Sequence, residues 1–482
     1  MAKLADAQRS GRCEGNLVRV QVPSSAPIIM DYTTYFKGKK ITVMGLGLLG
    51  RGLGVVKFLA ECGADLLVTD LKTKEQLAPS LAELSNYKNI TFILGEHRLE
   101  DFRDGDLIIK AAGVPLNSIY VAEAVLHGVP VKMESSLFAK FTKATLIGVT
   151  GTRGKSTTTH FIYESLKKFY KNGKVFIGGN VKGIATLPLL KEADKNDVVV
   201  LELDSWQLQG FGDEKISPHI AVFTNFLPDH LNYYMKNGDS EAYAMELYFS
   251  DKANIFRHQN KSDYLIVSGE MAHYIVKKYP LLQSEIVAVT EKDLLPDWHL
   301  NIPGEHNREN LVLGASVLRV IGCLEDEIKL SVESFKGVSG RLELIREKDG
   351  IKIFNDTTST TPVAGIVALK SIGNIDKKNI VLIMGGANKQ IDMIDLINIL
   401  PQYCSTVVLL PGTGTDTVRE KIKKNVSQTI EVDNLQDAVS KAMNAAKTGD
   451  IVLFSPSFAS FGLFQNEFDR GEQFEKLIKN LK

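Results

Sequence analysis

Residues 144–170 constrain the fold more than any other stretch. The apolar run Ala144 to Val149 predicts a strand, Thr150-Gly151-Thr152-Arg153-Gly154-Lys155 a turn, and Ser156 to Tyr170 a helix. Strand, glycine-rich turn and helix in that order build one βα unit of a parallel sheet. Gly151 and Gly154 let backbone N–H groups point at a polyphosphate, and the helix N-terminus adds its positive dipole end. Lys155 would then reach the β- and γ-phosphates of a nucleotide, and Ser156 or Thr157 would hold Mg²⁺. The spacing departs from the strict GxxxxGK[ST] pattern, because Val149 stands where the first glycine belongs. The plainer alternative is a glycine-rich turn with an exposed lysine. The Gly-Lys-Ser-Thr run in this context favours nucleotide binding, with ATP as the expected cofactor.

The chain has 482 residues, so at roughly 150 per domain about three domains are expected. Its 57 basic and 57 acidic side chains cancel, and this balance gives no pull toward nucleic acid or an acidic membrane. The same neutrality neither favours nor excludes self-association. Cys13, Cys62, Cys323 and Cys404 are too dispersed for a disulfide framework or a clustered metal site, as expected of a reducing cytoplasm. No apolar run approaches the roughly 18 residues of a membrane-spanning helix. Residues 1–29, with scattered arginines and serines and no apolar h-region, read as a disordered tail or a mis-assigned start.

From Met30 onward strand-like and helix-like segments alternate, which predicts an α/β protein with parallel sheets. Residues 30–141 open with the strand Lys40 to Met44, then Gly45-Leu46-Gly47-Leu48-Leu49-Gly50, a helix starting near Leu48, and a strand Leu66 to Thr69 ending at Asp70. A GxGxxG with an acid about 20 positions on is the Rossmann fingerprint. Its safest content is a diphosphate at that helix N-terminus, because the fold binds many ligands besides NAD. Residues 142–339 carry the phosphate-binding loop. They also carry Val198 to Leu201 ending in Glu202, and Ile220 to Thr224 leading to Asp229-His230. An acid at the end of such a strand suits a nucleotide-bound Mg²⁺. His230 is a possible second metal ligand, but a lone loop histidine is more often just hydrogen-bonded or solvated. Residues 340–482 repeat the pattern. Ile351 to Phe354, Ile380 to Met384 and Asp450 to Ser455 are strands that exit into small polar loops.

These motifs resemble those of the Mur ligases, ATP-dependent amide-forming enzymes of bacterial cell-wall synthesis, over Tyr35 to Lys482. The family's Thr-Gly-Thr-x-Gly-Lys-[Thr/Ser] is matched by Thr150 to Ser156. Its Asn-x-x-x-Asp-His-Leu-Asp is similar to Asn225 to Asn232, and its Gly-x-His-Asn-x-x-Asn to Gly304 to Asn310. Glu202 to Leu208, with Asp204 replacing a serine, and Ser455 to Phe468 followed by Arg470-Gly471 resemble the signatures of the D-glutamate-adding members.

The resemblance implies three domains: a Rossmann-like first, a P-loop ATPase-like second and a Rossmann-like third. It implies UDP-N-acetylmuramoyl-L-alanine and D-glutamate as substrates, joined through an acyl phosphate with ATP and Mg²⁺. Gly47, Leu48, Leu49, Asp70 and Asn180 would then contact the UDP-linked substrate. Gly151, Thr152, Gly154, Lys155, Ser156, Thr157, Asn307, Asn310, Arg341 and Asp356 would bind ATP. Ser156, Glu202, His230 and Lys252, the last as a carbamate, would hold metal ions. Thr360, Lys389, Ser460 and Phe461 would take the amino acid. Parts of one site on three domains imply that domain closure assembles it.

Three departures bear on specificity. Thr358 stands where the family has a lysine, Lys110 to Val114 replaces a Ser-Pro-Gly segment, and Glu467 replaces a common aromatic. A related ligase with another amino-acid substrate is therefore the nearest alternative. A dinucleotide-dependent oxidoreductase would explain Gly45 to Gly50 but would leave Thr150 to Ser156 unused. A non-catalytic nucleotide-binding subunit would be expected to have lost Lys155, Glu202 or His230, and all three are present.

Overall fold

The computed structural model of the chain describes residues 31–48, 50–235, 239–294 and 297–481. The expected N-terminal tail, residues 1–29, and the candidate substrate contact Leu49 lie outside them. The described chain packs as two compact units. The first runs to Asp297 and includes Asn310–Ser331; the second holds Trp298–Glu309 and Val332–Lys482.

The first unit carries two parallel sheets. In the first, β1 (Lys40–Met44), β2 (Asp65–Asp70), β3 (Ile90–Leu94), β4 (Leu107–Lys110) and β5 (Val131–Lys132) lie in the order β3-β2-β1-β4-β5. In the second, β6 (Thr145–Thr150), β7 (Val175–Gly179), β8 (Val198–Glu202), β9 (Ile220–Phe223), β10 (Tyr264–Ser268) and β11 (Glu285–Val289) take the order β11-β10-β9-β6-β8-β7. The valine-rich run of β8 reads as a continuous apolar segment because helices cover both faces of such a sheet, and Val198 to Leu201 are all buried. In each sheet the chain reverses direction beside the first strand, so β1 and β6 border the crevices where open α/β sheets take ligands.

The two sheets share one apolar core. Phe36, Phe58 and Phe141 meet edge to face, and the cluster continues through Leu137 and Leu187 to Phe249 and Ile275. The Arg51–Glu61 helix comes close to the residues before the short Leu187–Lys191 helix, because Gly54 presents no side chain there. A Cβ on Gly54 would stand 2.6 Å from the Cβ of Ala185.

In the second unit β12 (Glu343–Lys348), β13 (Ile351–Asn355), β14 (Ile380–Met384), β15 (Cys404–Leu409), β16 (Thr429–Glu431) and β17 (Ile451–Phe454) form a sheet ordered β12-β13-β17-β14-β15-β16. Every pair is parallel except β12 with β13. That hairpin turns on Asp349 and Gly350, with φ of +54° and +73°, the double left-handed geometry an Asp-Gly turn favours.

The helix after Gly50 begins at Arg51, later than the position near Leu48 that the sequence suggested, because Gly47 and Gly50 both take positive φ and hold the loop out of helical geometry. The helix after the phosphate-binding loop spans Lys155–Phe169, within a residue of expectation at each end.

The Gly54 approach is testable. Gly54→Leu should lower the unfolding free energy by about 1–3 kcal/mol through overpacking. Gly113→Ala, where a Cβ meets open space, should leave it nearly unchanged. Equal thermal unfolding midpoints for the two variants would count against the close packing of that helix.

Candidate active site

β6 delivers the loop Gly151–Gly154 to the carboxyl edge of the second sheet. Gly151 has φ +141°, and a Cβ there would come within 1.9 Å of Thr224 Oγ1, so the loop can lie against the end of β9 only with glycine. Thr152 fixes it further: its N–H donates to Asn225 O (2.9 Å) and its Oγ1 accepts from Leu227 N–H (3.0 Å). Arg153 N–H donates to Asn225 Oδ1 (2.9 Å), and its guanidinium pairs with Asp229 (2.9 Å). Gly154 caps the following helix, and Asn310 sits against it, within 2.1 Å of where a Cβ would be. Ser156 is buried in the first turn and Thr157 is half-buried.

Two lysines meet at this loop. Lys155 Nζ donates to Gly151 O and Thr152 O, both at 3.1 Å. Lys252, almost fully buried on the Glu241–Ala253 helix, donates to Gly151 O at 2.8 Å and lies 4.8 Å from the centre of the Tyr248 ring. Burial, and then the charge of Lys155, hold the Lys252 ammonium well below the ordinary lysine range. Lys252 is therefore a core group and not a solvated surface lysine.

Glu202 ends β8 beside β6 and is buried. His230 follows β9 with φ +55°, its ring 5.0 Å from Trp206 and 6.0 Å from Tyr248. Burial lowers its pKa, with Asp229 opposing and Lys155 and Lys252 reinforcing the shift, so the neutral imidazole that ligates metals is favoured. Among the described residues no three His, Cys, Asp or Glu side chains form a metal cluster.

The departure at Asp204 has a local explanation. Its carboxylate accepts the Gln207 N–H (2.7 Å) while Gln207 Oε1 accepts the Asp204 N–H (3.2 Å), a capping box that starts the Ser205–Glu214 helix. Serine and aspartate serve equally as such caps. Lys110, at the end of β4, is buried and donates to Val114 O (2.9 Å), which closes the divergent loop on itself. Burial draws its pKa down to about 8.

On the first sheet, Asp70 ends β2. Its carboxylate accepts N–H bonds from Gly47 (2.8 Å) and Lys72 (2.9 Å), bracing the glycine loop, while Leu48 is exposed. Asn180 joins the two sheets of this unit. Its N–H donates to Glu202 O (2.7 Å), and its Oδ1 accepts from Arg51 Nη2 (3.1 Å). Sequence reasoning passed over Arg51, although a cation directly behind a glycine fingerprint was a usable signal.

In the second unit Lys389 Nζ donates to Thr360 Oγ1 (2.8 Å), so these two predicted amino-acid contacts are neighbours. Ser460 is buried and Phe461 exposed. Asp356 is enclosed: its carboxylate accepts from Leu342 N–H (3.1 Å) and Ser455 Oγ (2.8 Å), pinning the turn that carries the exposed Arg341. Thr358 donates to Gly340 O (2.9 Å), and Glu467 opens the last helix. Arg470, fully buried, ties two loops together through Thr357 O (2.7 Å), Thr357 Oγ1 (3.2 Å) and Phe458 O (3.2 Å). Asn307 donates to Pro303 O (2.6 Å), one helical turn before Asn310 on the Glu305–Ile321 helix.

Known proteins match this chain along most of its length. Residues 39–132 match the Mur ligase MurD-like N-terminal domain, 149–318 the Mur ligase middle domain, and 340–458 the Mur ligase glutamate ligase domain. A protein of Roseiflexus sp. (strain RS-1), named UDP-N-acetylmuramoylalanine--D-glutamate ligase, is 35% identical across 92% of this chain and 99% of its own. Two solved structures from Thermotoga maritima share the fold. One is a UDP-N-acetylmuramate-alanine ligase (TM-score 0.59, 19% identity, 92% of this chain and 100% of that one). The other is a MurF ligase in complex with ADP (TM-score 0.54, 17% identity, 93% of this chain and 97% of that one).

Burial raises the Asp356 carboxyl to about 7. From about pH 4 to about pH 7 the folded chain then keeps a proton that the unfolded chain, with an ordinary carboxyl near 3.9, has released. Asp356 therefore costs stability progressively as pH rises through that window. Asp356→Asn should gain stability over the parent from pH 4 to 7 and level off above it, as read by denaturant unfolding at each pH. A difference independent of pH would show that the carboxyl titrates normally.

Proposed function

The chain belongs to the Mur ligase family, and from that premise we propose that it joins D-glutamate to UDP-N-acetylmuramoyl-L-alanine at the expense of ATP. The observation that carries the reading is the carboxyl edge of the second sheet. There a glycine-locked phosphate-binding loop, a buried strand-end carboxylate (Glu202) and a buried lysine amine (Lys252) on the loop's own carbonyl lie on neighbouring elements. The D-glutamate assignment rests on the relatives' names and on their match over nearly their whole length.

In this reading the alanine carboxylate attacks the γ-phosphate of ATP, giving an acyl phosphate and ADP. The amine of D-glutamate then attacks the acyl carbon, and the tetrahedral intermediate expels phosphate and loses a proton to give the amide. No enzyme nucleophile is needed, so positioning and charge stabilisation do the catalysis. Gly151, Thr152 and Gly154 cradle the phosphates, Lys155 leaves its own loop carbonyls for the β- and γ-phosphates, and Asn307 and Asn310 contact adenine. Arg341 answers phosphate charge, while Asp356 acts by holding the Arg341 turn. Gly47, Leu48, Leu49, Asp70 and Asn180 serve the UDP-linked substrate. Lys389, with Thr360 and Ser460 and with Phe461 nearby in sequence, takes the glutamate carboxylates, since a buried carboxylate needs a paired cation.

The donors fit Mg²⁺ through one modification. With its pKa lowered, the Lys252 amine can be neutral; its lone pair attacks CO₂, an N–C bond forms, and the displaced proton leaves to solvent. The resulting carbamate is an oxygen donor beside Glu202 and His230, and it turns the repulsion with Lys155 into attraction. Mg²⁺ held by these groups and Ser156 would neutralise phosphate charge.

Phosphate release from ATP with UDP-N-acetylmuramoyl-L-alanine should depend on D-glutamate across a panel of D- and L-amino acids. Dependence on another amino acid would keep the ligase and implicate Thr358 and Glu467. Release with none would reject the substrate assignment. Lys155→Ala should lower turnover by roughly 10²–10³-fold or more with little change in melting temperature. Lys252→Ala should lose activity that short carboxylates added to the assay partly restore; wild-type rates in that variant would rule out the carbamate.

A further inference from the structure

Two polar groups of Asn180 are held within the fold. Its backbone N–H is held by Glu202 O at 2.7 Å, and its Oδ1 by Arg51 Nη2 at 3.1 Å. An amide side chain can flip, but a guanidinium has only donors, so the atom facing Arg51 must be the oxygen. The Asn180 Nδ2 group is then turned away from the guanidinium, as a donor. Arg51 is itself placed by covalent and packing constraints. It is the first helical residue after Gly50, and the helix behind it is pressed toward the 183–188 segment by Gly50, whose Cβ would lie 3.7 Å from Gly183 O, and by Gly54. The carboxylate of Glu134, which accepts from Thr186 N–H (3.0 Å) and Leu187 N–H (3.4 Å), feels the Arg51 charge from the same side.

We propose that Arg51 is a positioning residue for the UDP-linked substrate: by holding Asn180 Oδ1 it fixes Asn180 Nδ2 as a donor to an acceptor oxygen of the muramoyl portion. The proposal rests on the substrate reading above and adds to it a residue and an atom. It also gives the two sheets of the first unit a chemical link. The glycine loop of the first sheet and the strand-end Glu202 of the second reach the substrate through one asparagine, whose main chain is tied to one and whose side chain is tied to the other.

The test is a double-mutant cycle on Arg51 and Asn180 in the full-length protein, read as KM for each substrate. Arg51→Met should raise KM for UDP-N-acetylmuramoyl-L-alanine roughly tenfold, as loss of a charge-assisted hydrogen bond does. KM for ATP should stay within about twofold, since Arg51 acts on the other substrate. Asn180→Ala should raise the same KM by a similar factor, and the double variant should be no worse than Asn180→Ala alone, because Arg51 acts through that amide. Arg51→Lys, which keeps a cationic donor, should recover part of the loss. Additive penalties, an equal rise in KM for ATP, or an unchanged KM would each overturn the proposal. If Arg51→Met does not fold, Arg51→Ala, which also removes the donor, carries the same cycle. Failure of the wild-type protein to use this substrate is a failure of the substrate reading instead. In that case the side-chain amide resonances of Asn180, which should shift in Arg51→Met and not in a distant surface variant, test the amide orientation without any substrate.

Discussion

Two ammonium groups, one from the helix after the phosphate-binding loop and one from the Glu241–Ala253 helix, converge on the carbonyl oxygen of Gly151. A carbonyl with two lone pairs accepts both, but the charges repel, and burial together with the Lys155 charge holds the Lys252 pKa well below the ordinary lysine range. The arrangement needs Gly151 in a backbone geometry closed to side chains, pressed against Thr224 at the end of β9. That pressure is available because β9, β6 and β8 are adjacent parallel strands whose carboxyl ends share one edge. The loop, the strand-end acid and the buried amine are thus consequences of one sheet order, and the proposed phosphate chemistry follows from them.

The same economy runs through the supporting contacts. Asp204 replaces a serine of the family signature yet performs a cap that serine also performs, so the substitution alters charge near the site without altering the start of the helix. Arg470 is buried at a desolvation cost that lowers its pKa to about 10. Its bonds to Thr357 and Phe458 stabilise the loops that lead to Thr360 and Ser460. Asp356 is similar: a carboxyl read as a nucleotide contact is enclosed, and its visible work is to hold the backbone beside Arg341.

Much of this was legible in the sequence because it rests on local rules. The apolar runs gave β6, β8 and β14 nearly to the residue, since strands covered on both faces leave an unbroken hydrophobic signature. The Gly-Lys-Ser-Thr stretch marked the loop, since only small residues and a helix start can form it. What escaped depends on residues far apart. The contact of Lys252 with Gly151 O joins segments far apart in sequence, and nothing in Tyr248 to Lys252 announces it. The bracing of Gly47 by Asp70 could not be told from a carboxylate facing only its ligand. The antiparallel hairpin at Asp349-Gly350 was missed for a different reason: its Asp-Gly signal was present but lay inside a segment read as uniformly parallel.

Arg470 has a consequence in time as well as in space. A ribosome makes Thr357 and Phe458 before it makes Arg470, so both loops are synthesised and left without their shared guanidinium until the last helix emerges. Until then Ser457 N–H on Ser359 O (2.9 Å) joins the two loops, but the guanidinium that also binds Thr357 O and Phe458 O is missing. A nascent chain therefore completes the contact between these two loops only after the Glu467–Lys479 helix has emerged and its cation is drawn into the fold.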